Sequence, residues 1–337
     1  MTIALLVAVV LLAFVTAFYT GFHDASSAVS TTISTRSLRE STALNLAALL
    51  NLLGALIGML IVPLSVGWAV SLLGLGPIIE ASADTPDLIG IALALMLLAT
   101  LAWEIITWWY GTPSSTWHAF LGAALGASAA LGAFEAWLPV IGLLALATLL
   151  GPLMGALIST AGMRGLLALG RTERLRVGHL RFAQTVSACA VATGHGLSDS
   201  RLPYALVVLA CQAAGLPLAD SLWLLAPIAV AIAAGTLMGG HRIIRTIGRR
   251  LTSLNSAQGF VAECTSALLM TLAVVGFQVP ISSSHTLASS VVGAGAAIGP
   301  RHVRWTVAAK IVGFWIATPI VTCVITAMGM RIVLEAL

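Results

Sequence analysis

The sequence predicts an all-α polytopic membrane protein: an inverted-topology repeat of two half-bundles, with broken helices and two re-entrant helical hairpins. Three observations support this fold class. The composition is too apolar for a soluble protein, the loop charges sort by sign, and two motifs occur once in each half of the chain. Inverted repeats of this kind are typical of secondary transporters, which move a solute together with a coupling ion.

The composition excludes soluble and disordered classes of protein. Of the 337 residues, 59% are hydrophobic and 8% are charged, whereas a typical soluble domain has about 25% charged residues. The 16 basic and 12 acidic residues give a net charge of +4. They are too few to form the basic face that binding to nucleic acid requires. The chain is therefore expected to lie in a lipid bilayer and to have no nucleic-acid partner.

Apolar segments recur along the whole chain, and several reach the roughly 20 residues that a membrane-spanning helix needs. They run at residues 3–20, 43–66, 88–110, 117–133, 138–162, 182–196, 202–214, 221–238, 260–278, 284–299 and 306–334.

The loops between these segments sort by charge. The basic loops contain Arg36, Arg39, Arg164, Arg171, Arg174, Arg176, Arg181, Arg242, Arg245, Arg249, Arg250, Arg301 and Arg304. The acidic loops contain Glu80, Asp84, Asp87, Glu135 and Asp220. Because short basic loops face the cytoplasm, the charges predict a multi-pass protein of a bacterial-type plasma membrane with both termini outside.

A single threading of the chain satisfies all of these loop charges, and it gives the two halves opposite orientations. Residues 1–162 form the first repeat, residues 163–181 a basic cytoplasmic linker, and residues 182–337 the second repeat. In each half, two consecutive apolar segments have their outer ends on one side of the membrane. Such a pair must turn round within the membrane or at its far face, which predicts a re-entrant hairpin.

Two motifs recur in the same order in both halves. The stretch from Gly21 to Asp24 has a counterpart in the stretch from Gly194 to Asp199, because each places an aspartate after a membrane segment. Later in each half a Pro-x-Ser-Ser-type sequence ends in histidine, at 113–118 and at 280–285, with five residues from proline to histidine. This repetition supports a duplicated architecture.

Four carboxylates are expected at membrane depth, namely Asp24, Asp199, Glu104 and Glu263. A charge there costs roughly 2.5–3.5 kcal/mol on insertion scales, so such residues are candidates for function. The Gly, Ser and Asp residues at 21–27 and 194–200 are poor helix formers and predict breaks in both helices. Freed carbonyl and carboxylate oxygens at these breaks would bind Na⁺, or the carboxylates would carry H⁺.

The two Pro-Ser-Ser motifs predict anion chemistry at the hairpin tips. Serine and threonine cap helix N-termini, where free N–H groups and the helix dipole attract anions. The hydroxyls that would bind the anion are those of Ser114, Ser115, Thr116, Ser282, Ser283 and Ser284. Arg201 is a further candidate, as a bidentate donor to an oxyanion or as a partner of Asp199. His118 and His285 would either carry protons or hold the tips by hydrogen bonds.

At these residues the chain resembles the inorganic phosphate transporter (PiT) family. The stretch Gly21 to Arg36 is similar to its first signature, His195 to Asp199 to its second, and Pro280 to His285 to its hairpin motif. Residues 240–248 and 259–263 also resemble the family, and the likeness extends from about residue 10 to 330. The resemblance implies an inverted-repeat carrier, a homodimer, that moves phosphate with Na⁺ or H⁺. It also implies that the motif aspartates serve the cation and the hairpin hydroxyls serve phosphate.

Four positions depart from the family pattern. His23 and Ser198 stand where asparagine precedes the aspartate, Ser27 replaces a following asparagine, and Trp117 replaces a hydroxyl residue of the first hairpin. Ser27 and Ser198 still offer an oxygen to a cation, together with Asp24, Asp199, Glu104 and Glu263. Trp117 removes a hydroxyl and adds bulk, which leaves sulfate or another oxyanion as an alternative substrate.

The main hypothesis is therefore a cation-coupled phosphate symporter that works by alternating access. The alternatives are a carrier of sulfate or another oxyanion on the same fold, and a non-transporting membrane sensor or assembly subunit. No nucleotide-binding loop, metal-ligand cluster or nucleophile elbow indicates an enzyme, and no cofactor is expected other than the coupling ion.

Overall fold

The computed structural model describes residues 1–61, 66–83, 85, 87–133, 137–170, 177–216, 224–277 and 281–336. Several predictions fall on residues outside these ranges. They concern Asp84, Glu135, Arg171, Arg174, Arg176, Asp220, Pro280 and the start of the segment predicted at 221–238.

The first half of the described chain contains seven α-helices. They are α1 (Ile3–Ser34), α2 (Glu40–Ile61), α3 (Val66–Leu73), α4 (Gly76–Ala81), α5 (Asp87–Trp109), α6 (Thr116–Ala130) and α7 (Trp137–Gly170).

The second half contains seven more. They are α8 (Val177–Asp199), α9 (Arg201–Ala213), α10 (Leu225–Met238), α11 (His241–Arg245), α12 (Ser256–Thr271), α13 (Ser283–Ile298) and α14 (Trp305–Ala336). The π-helical segments Thr246–Arg250 and Leu272–Gly276 continue α11 and α12, and a 3-10 turn, Pro300–His302, precedes α14.

The described residues form no β-strand beyond one isolated bridge between Thr252 and Val303, so the predicted all-α class is confirmed. Six of the described helices are long and apolar enough to cross a bilayer. The pair formed by Leu225–Met238 and His241–Arg250, bent by 51°, would be a seventh span. Gly239 permits this bend because its φ of 60° lies in the left-handed region that glycine adopts at little cost.

The two halves pack against each other in a reciprocal way. In one interface α1 of the first half lies along α10 of the second, and in another α8 of the second lies along α2 of the first. The last helix of each half also packs against the opposite half. Helix α7 of the first half packs on α13 of the second, and α14 of the second half packs on α6 of the first. This pattern is what an inverted repeat with two half-bundles requires.

The predicted break at 21–27 is wrong. Helix α1 runs without interruption from Ile3 to Ser34. The glycine serves helix packing instead, since a Cβ atom on Gly21 would collide with the backbone carbonyl of Ile232 on α10. Small residues of this kind let membrane helices approach closely. In the second half only Ser200 separates α8 from α9, so the break lies at the end of the predicted range of 194–200.

Both chain termini lie at the same end of the bundle. The N-terminal amine of Met1 lies 3.9 Å from a carboxylate oxygen of Asp87 at the start of α5. Residue Gly329, near the end of α14, packs against Leu95 on the same helix α5. The start of α14 is at the other end, where a guanidinium nitrogen of Arg304 donates to the carbonyl oxygen of Arg249.

Candidate functional site

Two aspartates from opposite halves meet in the interior of the bundle. Asp24 on α1 and Asp199 at the end of α8 are both buried. The Nδ1 atom of His195 lies 3.4 Å from Oδ2 of Asp199 and 3.9 Å from Oδ2 of Asp24. The ligand atoms of these three residues all lie within 4.8 Å of one another. Like charges this close repel each other, so the two carboxyl groups either share a proton or bind a cation between them.

The two hairpin tips are built alike, as their sequences predict. Ser115 caps α6, because its hydroxyl accepts the backbone N–H of His118. Ser282 caps α13 in the same way and accepts the backbone N–H of His285. Each cap satisfies the third amide of its helix, and the first two amides of each helix remain available for a ligand. Both helices therefore direct the positive ends of their dipoles at the space between the tips.

The tips touch directly. The hydroxyl of Ser284 donates to the backbone carbonyl oxygen of Ser114 over 2.6 Å. Behind the caps, the rings of His118 and His285 lie 4.8 Å apart between centroids. The indole of Trp315 on α14 stacks on His285 at 4.1 Å and donates its N–H to the carbonyl oxygen of Pro113. These contacts fix one hairpin tip against the other.

A small cavity lies between the tips and the aspartates. Its lining residues are Thr20, Asp24, Ser115, Thr116, Trp117, Asp199, Leu202, Pro203, Ile281, Ser282, Ser283 and Ser284. Ser283 of the second tip and Asp24 of α1 both line it, so the second tip and α1 share this wall. The cavity thus combines hydroxyl donors and helix N-termini with acidic groups.

The two buried glutamates have different surroundings. Glu104 on α5 accepts a hydrogen bond from the Thr116 hydroxyl and so supports the first tip from behind. Glu263 on α12 accepts hydrogen bonds from the hydroxyls of Thr31 and Ser187. Both glutamates are buried, but neither is among the described residues that line the cavity.

The sequence profile of the phosphate transporter family matches residues 20–176 and again residues 170–326. The chain belongs to the phosphate transporter family. The two matches cover one half of the chain each, as expected for an internal repeat.

Curated relatives in the family support the assignment. The chain is 32% identical, over 76% of its length and 77% of the relative's, to a probable low-affinity inorganic phosphate transporter of Rhizobium meliloti (strain 1021). A protein with the same description from Bacillus subtilis (strain 168) is 28% identical over 66% of this chain and 68% of its own length. A third, from Mycobacterium bovis, is 32% identical over 66% of this chain and 55% of its own length.

A solved structure has the same fold. It is a sodium-dependent phosphate transporter that superposes with a TM-score of 0.80 at 20% sequence identity and covers 99% of this chain and 100% of its own. The predicted fold class, the resemblance to the PiT family and the exclusion of an enzyme are confirmed by these comparisons. As a member of a transporter family with at least six apolar spans, the chain is a multi-pass membrane protein.

In this family member, the structure brings together seven of the predicted site residues around the cavity: Asp24, Asp199, Ser115, Thr116, Ser282, Ser283 and Ser284. Ser114 lies just beneath them and shares a hydrogen bond with Thr107. The remaining predicted residues are buried but lie off the described cavity wall: Ser27, Ser198, Arg201, Glu104, Glu263, His118 and His285.

The sequence assigned no role to His195, although this residue contacts both aspartates. One signal was available, since His195 precedes Asp199 by four residues and therefore lies on the same helix face. The contact with Asp24 brings together helices of opposite halves, and no local pattern indicates it.

Proposed function

We propose that this chain is a secondary carrier that moves inorganic phosphate across a bacterial plasma membrane together with Na⁺. The single observation that supports this most strongly is the pair of opposed, serine-capped hairpin tips beside two neighbouring buried aspartates. Phosphate would bind the hydroxyls and the free amides of α6 and α13. The cation would lie at Asp24 and Asp199, with His195 in contact with both.

The choice of phosphate over sulfate rests on the carboxylates of the cavity wall. Phosphate near neutral pH keeps at least one O–H group, which can donate a hydrogen bond to Asp24 or Asp199. Sulfate has no proton to donate, so a carboxylate at the same distance would repel it, and specificity can come from such a repulsive element. Trp117, which lines the cavity, supports the opposite choice because it leaves less room and one hydroxyl fewer.

The choice of Na⁺ over H⁺ is supported by the structural neighbour, which is sodium-dependent. The alternating-access mechanism is supported by the reciprocal packing of the two halves, because inverted repeats related by a pseudo-two-fold axis can rock around a fixed site. We also propose that the arginine-bearing end faces the cytoplasm, that both termini are outside, and that the carrier is a homodimer in the lipid bilayer. Residues 1–162, 163–181 and 182–337 are proposed as the first repeat, linker and second repeat.

Proteoliposome uptake tests the function. We expect labelled phosphate to accumulate against its gradient when an inward Na⁺ gradient is imposed, and excess unlabelled phosphate to compete better than sulfate. Asp24→Asn and Asp199→Asn should each lower the initial rate at least about tenfold, equivalent to ~1.4 kcal/mol or more. Asp87→Asn is the matched control, because Asp87 lies at the end of the bundle and is partly exposed.

Three results would contradict parts of the proposal. Uptake driven only by a pH gradient would show that the coupling ion is H⁺ and not Na⁺. Stronger competition by sulfate than by phosphate would show that sulfate is the preferred substrate. Normal uptake in both aspartate variants would overturn the site, and a complete lack of saturable uptake by the wild type would favour a non-transporting role.

A further inference from the structure

A second cavity, here called the basic vestibule, opens at the arginine-bearing end of the bundle with a volume of about 360 Å³. Its lining residues are Ser30, Ile33, Ser34, Glu40, His241, Ile244, Arg245 and Arg249. It is distinct from the central cavity, with which it shares no lining residue.

The vestibule forms where the chain turns back after the bend at Gly239. After the bend, α11 and the π-helical segment Thr246–Arg250 turn back across the end of α1. A Cβ atom on Gly248 would come within 2.6 Å of the carbonyl oxygen of Ser30, so glycine lets the two backbones pack closely. Arg245 and Arg249 are four residues apart and therefore lie on one face, which is the face that lines the vestibule.

The vestibule has a surplus of positive charge. Its one carboxylate, Glu40, is already occupied by His241, whose Nδ1 lies 3.0 Å from Oε1 of the glutamate. Arg245 and Arg249 are exposed, and no carboxylate among the described residues forms an ion pair with either. Two uncompensated guanidinium groups in a concave site attract oxyanions, and each can bind one through two N–H groups.

A line of serines leads from the vestibule towards the central cavity. The hydroxyls of Ser26, Ser27 and Ser30 are buried, and none has a hydrogen-bond partner within the described part of the chain. Ser30 itself lines the vestibule, and it lies six residues, or roughly 9 Å of helix, from Asp24. Buried hydroxyls normally find partners, and these three lack them among the described residues on the side of α1 between Asp24 and the vestibule.

We propose that the basic vestibule is a second, Na⁺-independent oxyanion site for a phosphate group, which Arg245 and Arg249 bind. This inference rests on the proposed function for the identity of the anion, because phosphate leaving the central cavity along α1 would reach these arginines next. The same chemistry would suit the phosphate of an anionic lipid headgroup.

Phosphorus NMR of inorganic phosphate with the purified full-length protein in detergent tests the site. In a buffer with choline in place of Na⁺, the central site is not loaded, and the wild type should still broaden the phosphate resonance. Arg245→Gln combined with Arg249→Gln should reduce this broadening at least fivefold. Arg250→Gln is the matched control, since Arg250 is exposed on the same π-helical segment but does not line the vestibule, and it should leave the broadening unchanged.

The combined Arg245→Lys and Arg249→Lys variant is the control for loss of binding through misfolding. It should keep part of the broadening because it keeps both positive charges. Unchanged broadening in the double glutamine variant, or equal loss in Arg250→Gln, would overturn the vestibule site. In nanodiscs, a loss of broadening on adding phosphatidylglycerol to phosphatidylcholine would identify a lipid headgroup as the occupant, and unchanged broadening would identify free phosphate.

Failure of this site is distinguishable from failure of the carrier function. Na⁺-driven uptake by the wild type together with equal behaviour of all the arginine variants would overturn the vestibule alone. Absence of Na⁺-driven uptake together with arginine-dependent broadening would overturn the carrier function and leave the oxyanion site in place.

Discussion

His195 is the residue that joins the two halves at the proposed cation site. It lies on the same face of α8 as Asp199 and reaches Asp24 on α1 with the same ring nitrogen. Its side chain is fully buried, so its position is fixed by packing as well as by the two carboxylates. We interpret it as the positioning residue that keeps the aspartates at the separation a single cation needs.

Replacing His195 by alanine should raise the Na⁺ concentration for half-maximal phosphate uptake at least about tenfold, the lower limit for losing a group that orients metal ligands. The reason is that Asp24 and Asp199 would no longer be held together against their mutual repulsion. His179→Ala is the control, because His179 is exposed on the same helix. A normal Na⁺ dependence in His195→Ala would show that the aspartates are positioned without it.

At the scale of helices, glycine residues allow the helices of the two halves to pack closely against each other. Gly21 and Gly235 lie at the interface of α1 and α10, and each would place a Cβ atom against the backbone of the other helix. Gly196 and Gly54 do the same between α8 and α2. The two interfaces are therefore equivalent in their residues as well as in their place in the repeat.

The Gly21→Ala variant should be destabilised. Alanine gains roughly 0.5–1 kcal/mol of helix propensity over glycine, but overpacking against a backbone costs about 1–3 kcal/mol, so the collision with Ile232 should dominate. We expect a lower melting temperature for the detergent-solubilised protein. Gly165→Ala on α7, where nothing lies within 4 Å of the new Cβ atom, should melt at the same temperature or higher. Equal melting of the two variants would contradict the packing role.

The sequence was sufficient for the features that depend on local chemistry. The serine caps and their histidines are separated by three residues, so the hairpin tips could be located from the motif alone. The role of Gly21 could not be found in this way, because a glycine that breaks a helix and a glycine that touches another helix look alike along the chain. The contact between His195 and Asp24 could not be predicted from the sequence, because it depends on how α8 packs beside α1.

At the scale of the whole molecule, the loop arginines Arg249, Arg250 and Arg304 lie at the opposite end of the bundle from the termini. Arg304 contacts the segment that ends in Arg250, whereas Met1 contacts Ala213 and lies beside Asp87. Because cytoplasmic loops carry the excess of basic residues, we propose that the arginine-bearing end faces the inside of the cell.

Fusion reporters test this orientation in the intact cell. Alkaline phosphatase fused after residue 336 should be active, because we expect the C-terminus outside, and a fluorescent protein fused there should be dark. The same two reporters fused after Arg250 should give the reverse result. An active phosphatase after Arg250 would show that the basic residues do not set the orientation of this chain.

The reciprocal contact of α1 with α10 has a consequence for biogenesis. Thr236, whose hydroxyl donates to the carbonyl oxygen of Gly21, is synthesised 215 residues later, a delay of roughly 10–40 s at 5–20 residues per second. Asp24 lacks its neighbour His195 until α8 is synthesised, and it lacks the second hairpin tip until Ser283 is synthesised, in a bilayer where an exposed carboxylate is costly. The nascent first half must therefore be shielded from lipid, either by the insertion machinery or by delayed entry of α1, until its second half arrives.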